Sequence, residues 1–266
     1  MSERTGAPPT ALDLETPSDA RIYDCFLGGK DNYQADRQAA GEILALFPQA
    51  ARMAKANRWM IARGVRYALA AGIRQIVDIG GGLPTYPSTL DVARDAARDA
   101  RVVMIDSDPV VAVHYRALTP GGDVEVLEAD LVRTGELLAE VGRLIDLRRP
   151  TLFVLGSMLH FLPGQVAATA VARLREAIAP GGQLLISHAT GTAADAATVD
   201  AVEEVYARAR VPLYCRSEAE ITGLFGDLEL IEPGLTDVDL WRAGDGDVRL
   251  RGMGLRLIGG LAVRDP

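Results

Sequence analysis

The apolar run Val77-Asp78-Ile79 breaks into Gly80-Gly81-Gly82-Leu83-Pro84-Thr85, and a second apolar run, Val102-Val103-Met104-Ile105, ends on Asp106. This pairing constrains the chain more than any other feature. It reads as a strand entering a glycine turn, then a neighbouring strand with a carboxylate at its tip. In α/β domains a carboxylate about 20 residues past such a turn accepts hydrogen bonds from ribose hydroxyls, while the glycines let the backbone approach the ligand. The expectation is a nucleoside-containing cofactor. The plainer reading is a tight strand–helix turn, with Asp106 capping a helix ahead of Pro109.

The identity of the cofactor turns on the third position of the G-x-G-x-x-G/A fingerprint, where a small residue packs helix against strand. Gly80 and Gly82 fit, but Thr85 does not, and Pro84 and Pro87 interrupt the place where a helix would face a pyrophosphate. An NAD-dependent oxidoreductase is therefore disfavoured. S-adenosyl-L-methionine (SAM) has a ribose and no phosphate. Its site needs a glycine turn, a ribose acid and a later polar residue beside the adenine. Glu128-Ala129-Asp130-Leu131 follows the run Val124-Glu125-Val126-Leu127 and supplies the last of these. The expected cofactor residues are Asp78, Gly80, Gly81, Gly82, Thr85, Asp106, Ser107, Asp130, Leu131 and Ser157, and the product would be S-adenosyl-L-homocysteine (SAH).

Strands and helices alternate through most of the chain. Strands are predicted at 75–80, 101–106, 123–128, 151–156 and 182–188, and helices at 88–98, 109–118, 134–146 and 164–178. Helices at about 192–209 and 217–224 follow. The segments Leu228–Ile231 and Leu255–Val263 then read as a closing antiparallel hairpin. This pattern predicts a seven-stranded α/β sheet, mostly parallel. Ahead of it lie a loosely held tail (1–16) and a helical cover (17–72), with helices to about Leu27, from a cap at Asp36 to Leu46, and over Gln49 to Ala70. Residues 73–266 form the cofactor domain.

Composition narrows the function classes. A net charge of −8 in 266 residues argues against nucleic acid as a partner. The two cysteines, Cys25 and Cys215, and the three histidines lack metal-ligand spacing, so no metal is expected. No apolar run reaches the 18 or so residues of a membrane span, and the N-terminus lacks a signal-peptide core. A cytoplasmic protein acting on a small molecule is expected. The oligomeric state is open, with a homodimer among the options.

The block Pro17-Ser18-x-Ala20-Arg21-x-Tyr23-Asp24-x-x-Leu27-Gly28-Gly29-Lys30-Asp31-Asn32-Tyr33-x-x-Asp36-Arg37 resembles the N-terminal signature of an actinobacterial SAM-dependent methyltransferase family, formerly classed as a domain of unknown function (DUF574-type). The resemblance continues through Ala56-Asn57-Arg58, Arg66-Tyr67, Asp78-Ile79-Gly80, Gly82-Leu83-Pro84-Thr85, Asp106-x-Asp108-Pro109, Leu159-His160-Phe161 and Ser187-His188. It implies the class I methyltransferase (Rossmann-like) fold and SAM binding, and leaves the acceptor undefined, with a role in secondary metabolism one option. The family usually carries Gly-Thr-Gly where this chain has Gly80-Gly81-Gly82. That departure keeps open a protein that binds SAM without transferring its methyl group, in a regulatory or cyclase-like role.

Methyl transfer from a sulfonium is an in-line displacement, so the protein mainly aligns the acceptor. A base is needed only if the nucleophile must lose a proton. His160 follows the fourth strand and is the candidate base or acceptor orienter; as a core histidine it would instead meet backbone groups. His188 ends the fifth strand and could merely fasten it. Tyr23, Lys30, Asp31, Asn32 and Tyr33 reach substrate only if the N-terminal helices fold over the sheet edge; otherwise the polar run is a solvated turn.

Overall fold

A computed structural model of the chain describes residues 12–119, 124–192, 194–244, 249–250 and 254–265. Most of the expected tail, 1–11, lies outside the described residues, as does Asp123 at the start of the third predicted strand.

Five parallel strands form the body of one sheet: β1 (Gln75–Ile79), β2 (Arg101–Asp106), β3 (Val124–Glu128), β4 (Leu152–Gly156) and β5 (Gln183–Thr190). Three antiparallel strands complete it: β6 (Glu229–Leu230), β7 (Thr236–Asp237) and β8 (Arg256–Val263). The order is β3-β2-β1-β4-β5-β8-β6, with β7 also paired to β8. The sheet is mostly parallel, as expected, with eight strands among the described residues rather than seven. The closing segments pair antiparallel, but β8 inserts between β5 and β6 rather than turning back at the edge. The unpredicted two-residue β7 lies in the connection.

Strand alternation explains the two cores. Side chains along a strand face opposite sides in turn. Ile76, Val102, Met104, Val154 and Leu185 enter one core, and Val77, Ile79, Val103, Ile105, Phe153 and Leu155 enter the other. A sheet covered on both faces needs apolar residues at successive positions, as these strands show. The helices α4 (Thr89–Ala96), α5 (Pro109–Leu118), α6 (Thr134–Leu144), α7 (Gly164–Glu176), α8 (Ala196–Arg208) and α9 (Glu218–Phe225) fill the intervals.

The N-terminal helices are α1 (Asp19–Leu27), α2 (Gln34–Leu46) and α3 (Ala50–Ala70). They divide into two roles. Met53, Met60 and Val65 of α3 pack into the sheet's own core with Ile76 and Leu185. Ile22 and Phe26 of α1 and Ile43 of α2 cluster instead with Val205 of α8. Asp36 does not precede α2 but lies in its first turn, where it accepts the Tyr33 N–H at 2.8 Å. Asp108 caps α5 by accepting the Val110 N–H at 2.9 Å. Among the described residues, no helix is long and apolar enough to cross a membrane.

Candidate functional site

The C-terminal ends of the first four parallel strands surround one cleft of about 880 Å³, counting its open mouth. Asp78, Gly80, Gly81 and Gly82 line it at the end of β1, Asp106 and Ser107 at β2, Asp130 and Leu131 past β3, and Ser157 past β4. Of the cofactor residues expected from sequence, Thr85 alone stands outside this lining.

The glycine turn is tied to the second strand. Gly80 and Gly82 take φ of +68° and +66°, a conformation that side chains strain. The Gly80 N–H donates to the Ile105 carbonyl at 2.7 Å and the Gly82 N–H to the Asp106 carboxylate at 3.0 Å. A Cβ on Gly81 would stand 2.8 Å from the Met104 methyl and 3.0 Å from the Asp78 carboxyl. A threonine here would have to displace Met104, which is the physical content of this chain's departure from Gly-Thr-Gly.

Asp106 accepts the Gly82 N–H on one oxygen and the Asp108 N–H, at 2.9 Å, on the other. Each oxygen keeps a second lone pair for a ligand hydroxyl. Burial pushes this carboxyl up to about 7, and Asp19 nearby adds to the rise. Burial also raises Asp78, with Arg58 pulling the other way. Asp130 accepts the Val132 N–H at 2.9 Å on one oxygen, which caps a short turn over Leu131–Arg133, and the other oxygen has no partner among the described residues. Leu131 is buried beside it.

Two cleft residues were missed from sequence. Arg58 of α3 is 3% exposed and donates only long bonds, 3.3 Å to the Gly81 carbonyl and 3.5 Å to the Leu83 carbonyl. Its Nε has no partner among the described residues. A buried guanidinium so poorly satisfied suits an anionic ligand group. Asp19 of α1 faces the cleft opposite the strand ends. The sequence marks Asp19 only as a first-turn acid. Arg58 lies four residues past Ala54 and three before Ile61, in phase with buried positions, and that phase was the available signal.

A second, apolar chamber of about 600 Å³ adjoins the cleft. Asp19, Tyr23, Ser157 and Phe161 belong to both walls. Ile22, Phe26, Phe47, Met53 and Tyr206 line the rest with His160. Tyr23 donates its hydroxyl to the Ala54 carbonyl and accepts from Asn57, each at 2.9 Å. His160 accepts the Ala189 N–H on Nδ1 at 3.3 Å, which leaves the proton of the neutral ring on Nε2. Burial holds its pKa well below 6.5, with His188 and Arg216 adding to the effect. The ring is thus arranged to donate a hydrogen bond rather than take a proton.

His188 lines neither chamber. It is fully buried, with Nδ1 on the Ala189 carbonyl at 2.7 Å and Nε2 against the Arg216 guanidinium. Arg216 also holds the Leu159 and Leu162 carbonyls, at 3.0 and 2.7 Å.

The polar turn after α1 also lies outside both chambers. It wraps Asp24, whose carboxylate accepts the Asn32 side-chain amide at 2.8 Å, the Asp31 N–H at 3.1 Å and the Thr85 hydroxyl. A Cβ on Gly29 would fall 1.8 Å from the Asp24 carboxylate, so only glycine fits there. Asp31 stands 3.7 Å from His114, the Arg21 guanidinium lies over the Tyr33 ring at 5.6 Å, and Lys30 is exposed. Thr85 and the turn therefore fasten α1 to the glycine loop. Ser18 and Arg21 add bonds of 2.6 and 3.2 Å to Asp108.

A sequence model of the family described as S-adenosyl methyltransferase matches residues 5–265. The chain is similar to a candidate methyltransferase of known structure from Thermobifida fusca YX, with 36% identity over 97% of this chain and 99% of that one and a TM-score of 0.89. A DUF574 family protein from Streptomyces avermitilis MA-4680 gives 35% identity over 96% and 99%, with a TM-score of 0.87. A carboxy-S-adenosyl-L-methionine synthase from Dichelobacter nodosus is 27% identical over 118 residues. That match spans 43% of this chain and 44% of the curated relative.

Proposed function

This chain belongs to the S-adenosyl methyltransferase family, and we propose that it transfers the methyl group of SAM from the polar cleft to a small molecule held in the apolar chamber. One observation carries the reading. The Gly80–Gly82 turn, Asp106 and Asp130 open on a single cleft that shares a wall with an apolar chamber.

The residues fit the cofactor. The unsatisfied Arg58 suits the carboxylate of the methionine moiety, and the glycine backbone leaves room beside it. Asp106 accepts the ribose hydroxyls. Asp130 would accept from the adenine amino group, with Leu131 beside it. SAM supplies a methyl group already on a good leaving group, so this chain's task is to align the acceptor and exclude water. Ser157 and His160 border the chamber as orienting donors. The free thiols Cys25 and Cys215 accord with a cytoplasmic setting.

Calorimetry with SAH and with NAD tests the cofactor, and radiolabelled SAM incubated with cell extract tests transfer. SAH binding together with label in a low-molecular-weight fraction is the expected outcome. Tight NAD binding with no response to SAH would sink the reading.

A further inference from the structure

Four residues form the wall common to cleft and chamber, and two of them hold polar atoms without a settled partner. The Tyr23 hydroxyl is taken by Ala54 and Asn57, and Phe161 is apolar. Among the described residues, the Asp19 side chain accepts only the N–H of its neighbour Ala20, at 2.9 Å, and forms no salt bridge. Ser157 is 8% exposed, and its buried hydroxyl has no partner among the described residues. Ser157 also takes a φ of +57°. A non-glycine residue persists there only where its surroundings hold it, and such positions gather at ligand sites.

A carboxylate at the mouth of an apolar chamber without an ion-pair contact is costly. Burial raises the Asp19 carboxyl above its ordinary range, Asp108 adds to the rise, and Arg21 on the same helix pulls against it. Asp106 faces Asp19 from β2. With Arg58, over the Tyr23 ring at 5.4 Å, assigned to the cofactor's carboxylate, Asp19 and Asp106 make the junction a negative spot once the sulfonium charge of SAM is gone, as in the SAH complex. A ligand cation would relieve it, and a neutral alcohol would not.

We propose that the chamber takes a small apolar amine, whose ammonium lies against Asp19 and Ser157, and that Asp19 accepts the amine's proton so that the nitrogen can be methylated. This rests on the methyl-transfer reading above. An ammonium has no lone pair to attack with. One N–H proton passes to an Asp19 carboxylate oxygen, and the freed pair forms the new N–C bond to the methyl group. The C–S bond breaks with its pair kept by sulfur. The methylated ammonium and SAH leave, and Asp19 passes its proton to water.

The test uses calorimetry on the wild-type protein and on D19N. SAH is titrated first. To the SAH complex is then added 2-phenylethylamine or its uncharged isostere 2-phenylethanol. The expected results, at pH 8.5 where Asp106 is ionised in both proteins, are SAH affinity in D19N no weaker than in wild type, and amine binding to wild type about tenfold tighter than the alcohol and about tenfold tighter than to D19N. S157A should lose part of the amine affinity. The proposal falls if wild type does not bind the amine more tightly than the alcohol, a comparison that stands even if a variant fails to fold. It falls also if D19N binds the amine like wild type, or if D19N loses SAH affinity, which would put Asp19 in the cofactor site. Failure of wild type to bind SAH would sink the methyl-transfer reading and this one together. SAH binding without amine preference sinks this one alone.

Discussion

The Asp106 carboxylate accepts the Gly82 N–H at 3.0 Å, so the ribose acid and the glycine turn are one bonded unit. Because burial lifts this carboxyl to about 7, cofactor binding should titrate with it. Ribose hydroxyls donate to the ionised form, and a protonated carboxyl must first lose its proton. SAH affinity should thus be level above about pH 8 and fall by up to about tenfold per unit below 7. Asp106→Asn should weaken SAH by about 1–3 kcal/mol at pH 8 and flatten this dependence. Calorimetry from pH 5.5 to 8.5 reads both. Wild-type affinity constant across that range would mean that Asp106 is not what the ribose meets.

Arg58 should serve the amino-acid end of the cofactor and nothing else. 5′-Methylthioadenosine shares the adenine and ribose of SAH but lacks its carboxylate. Arg58→Ala should therefore cost SAH about 2 kcal/mol, the loss of a charge-assisted contact, and leave methylthioadenosine nearly unchanged. Asp106→Asn should weaken both ligands. Equal losses for the two ligands in Arg58→Ala would show that the guanidinium only props up the Gly81 carbonyl.

What could be read from the sequence followed the range of the interaction. Gly80, Gly82, Asp106 and Asp130 sit at strand ends, so alternation and local spacing were enough to bring them to one edge. Asp108 capping α5 was equally local. Arg58 and Asp19 reach the cleft only because α3 and α1 pack across it, and no local pattern encodes that approach. The same limit applies to β8, whose place beside β5 is set by pairing with residues 66 to 80 positions away, such as Ser187 with Gly259. The turn Gly28–Tyr33 looked like a lid over substrate because it is dense in polar groups. Its polar groups are dense because Asp24 is buried and needs donors.

Thr85 and Asp24 make a second testable tie, between the glycine loop and α1. Thr85→Val removes one donor and leaves Asp24 with Asn32 and the Asp31 N–H, so the cost should be about 1 kcal/mol. Asp24→Ala leaves three donors unpaired and should cost about 3 kcal/mol or more. Because α1 carries Asp19 and Tyr23, both variants should speed amide exchange through residues 19–33. Chemical denaturation and hydrogen exchange check the two effects. Exchange in α1 unchanged by Asp24→Ala would mean that Ser18 and Arg21, through Asp108, hold the helix alone.

His188 predicts acid sensitivity with a definite sign. The Arg216 guanidinium occupies its Nε2, and burial together with that charge lowers its pKa to about 4. In the unfolded chain the ring titrates near 6.5. Above that value both states are neutral and the full stability is present. As pH falls from 6.5 toward 4, the unfolded chain takes up a proton that the folded one refuses. Stability should drop by up to about 1.4 kcal/mol per unit, roughly 3 kcal/mol in all. Burial acts on His160 in the same direction. Other groups also titrate in this range, so the informative quantity is a difference. His188→Gln should be less stable than wild type at pH 7.5, because it breaks the Arg216 network, and the gap should narrow toward pH 4.5. Denaturant midpoints at the two pH values measure it, and a gap that stays constant would mean that His188 is protonated in the folded protein as readily as in the unfolded one.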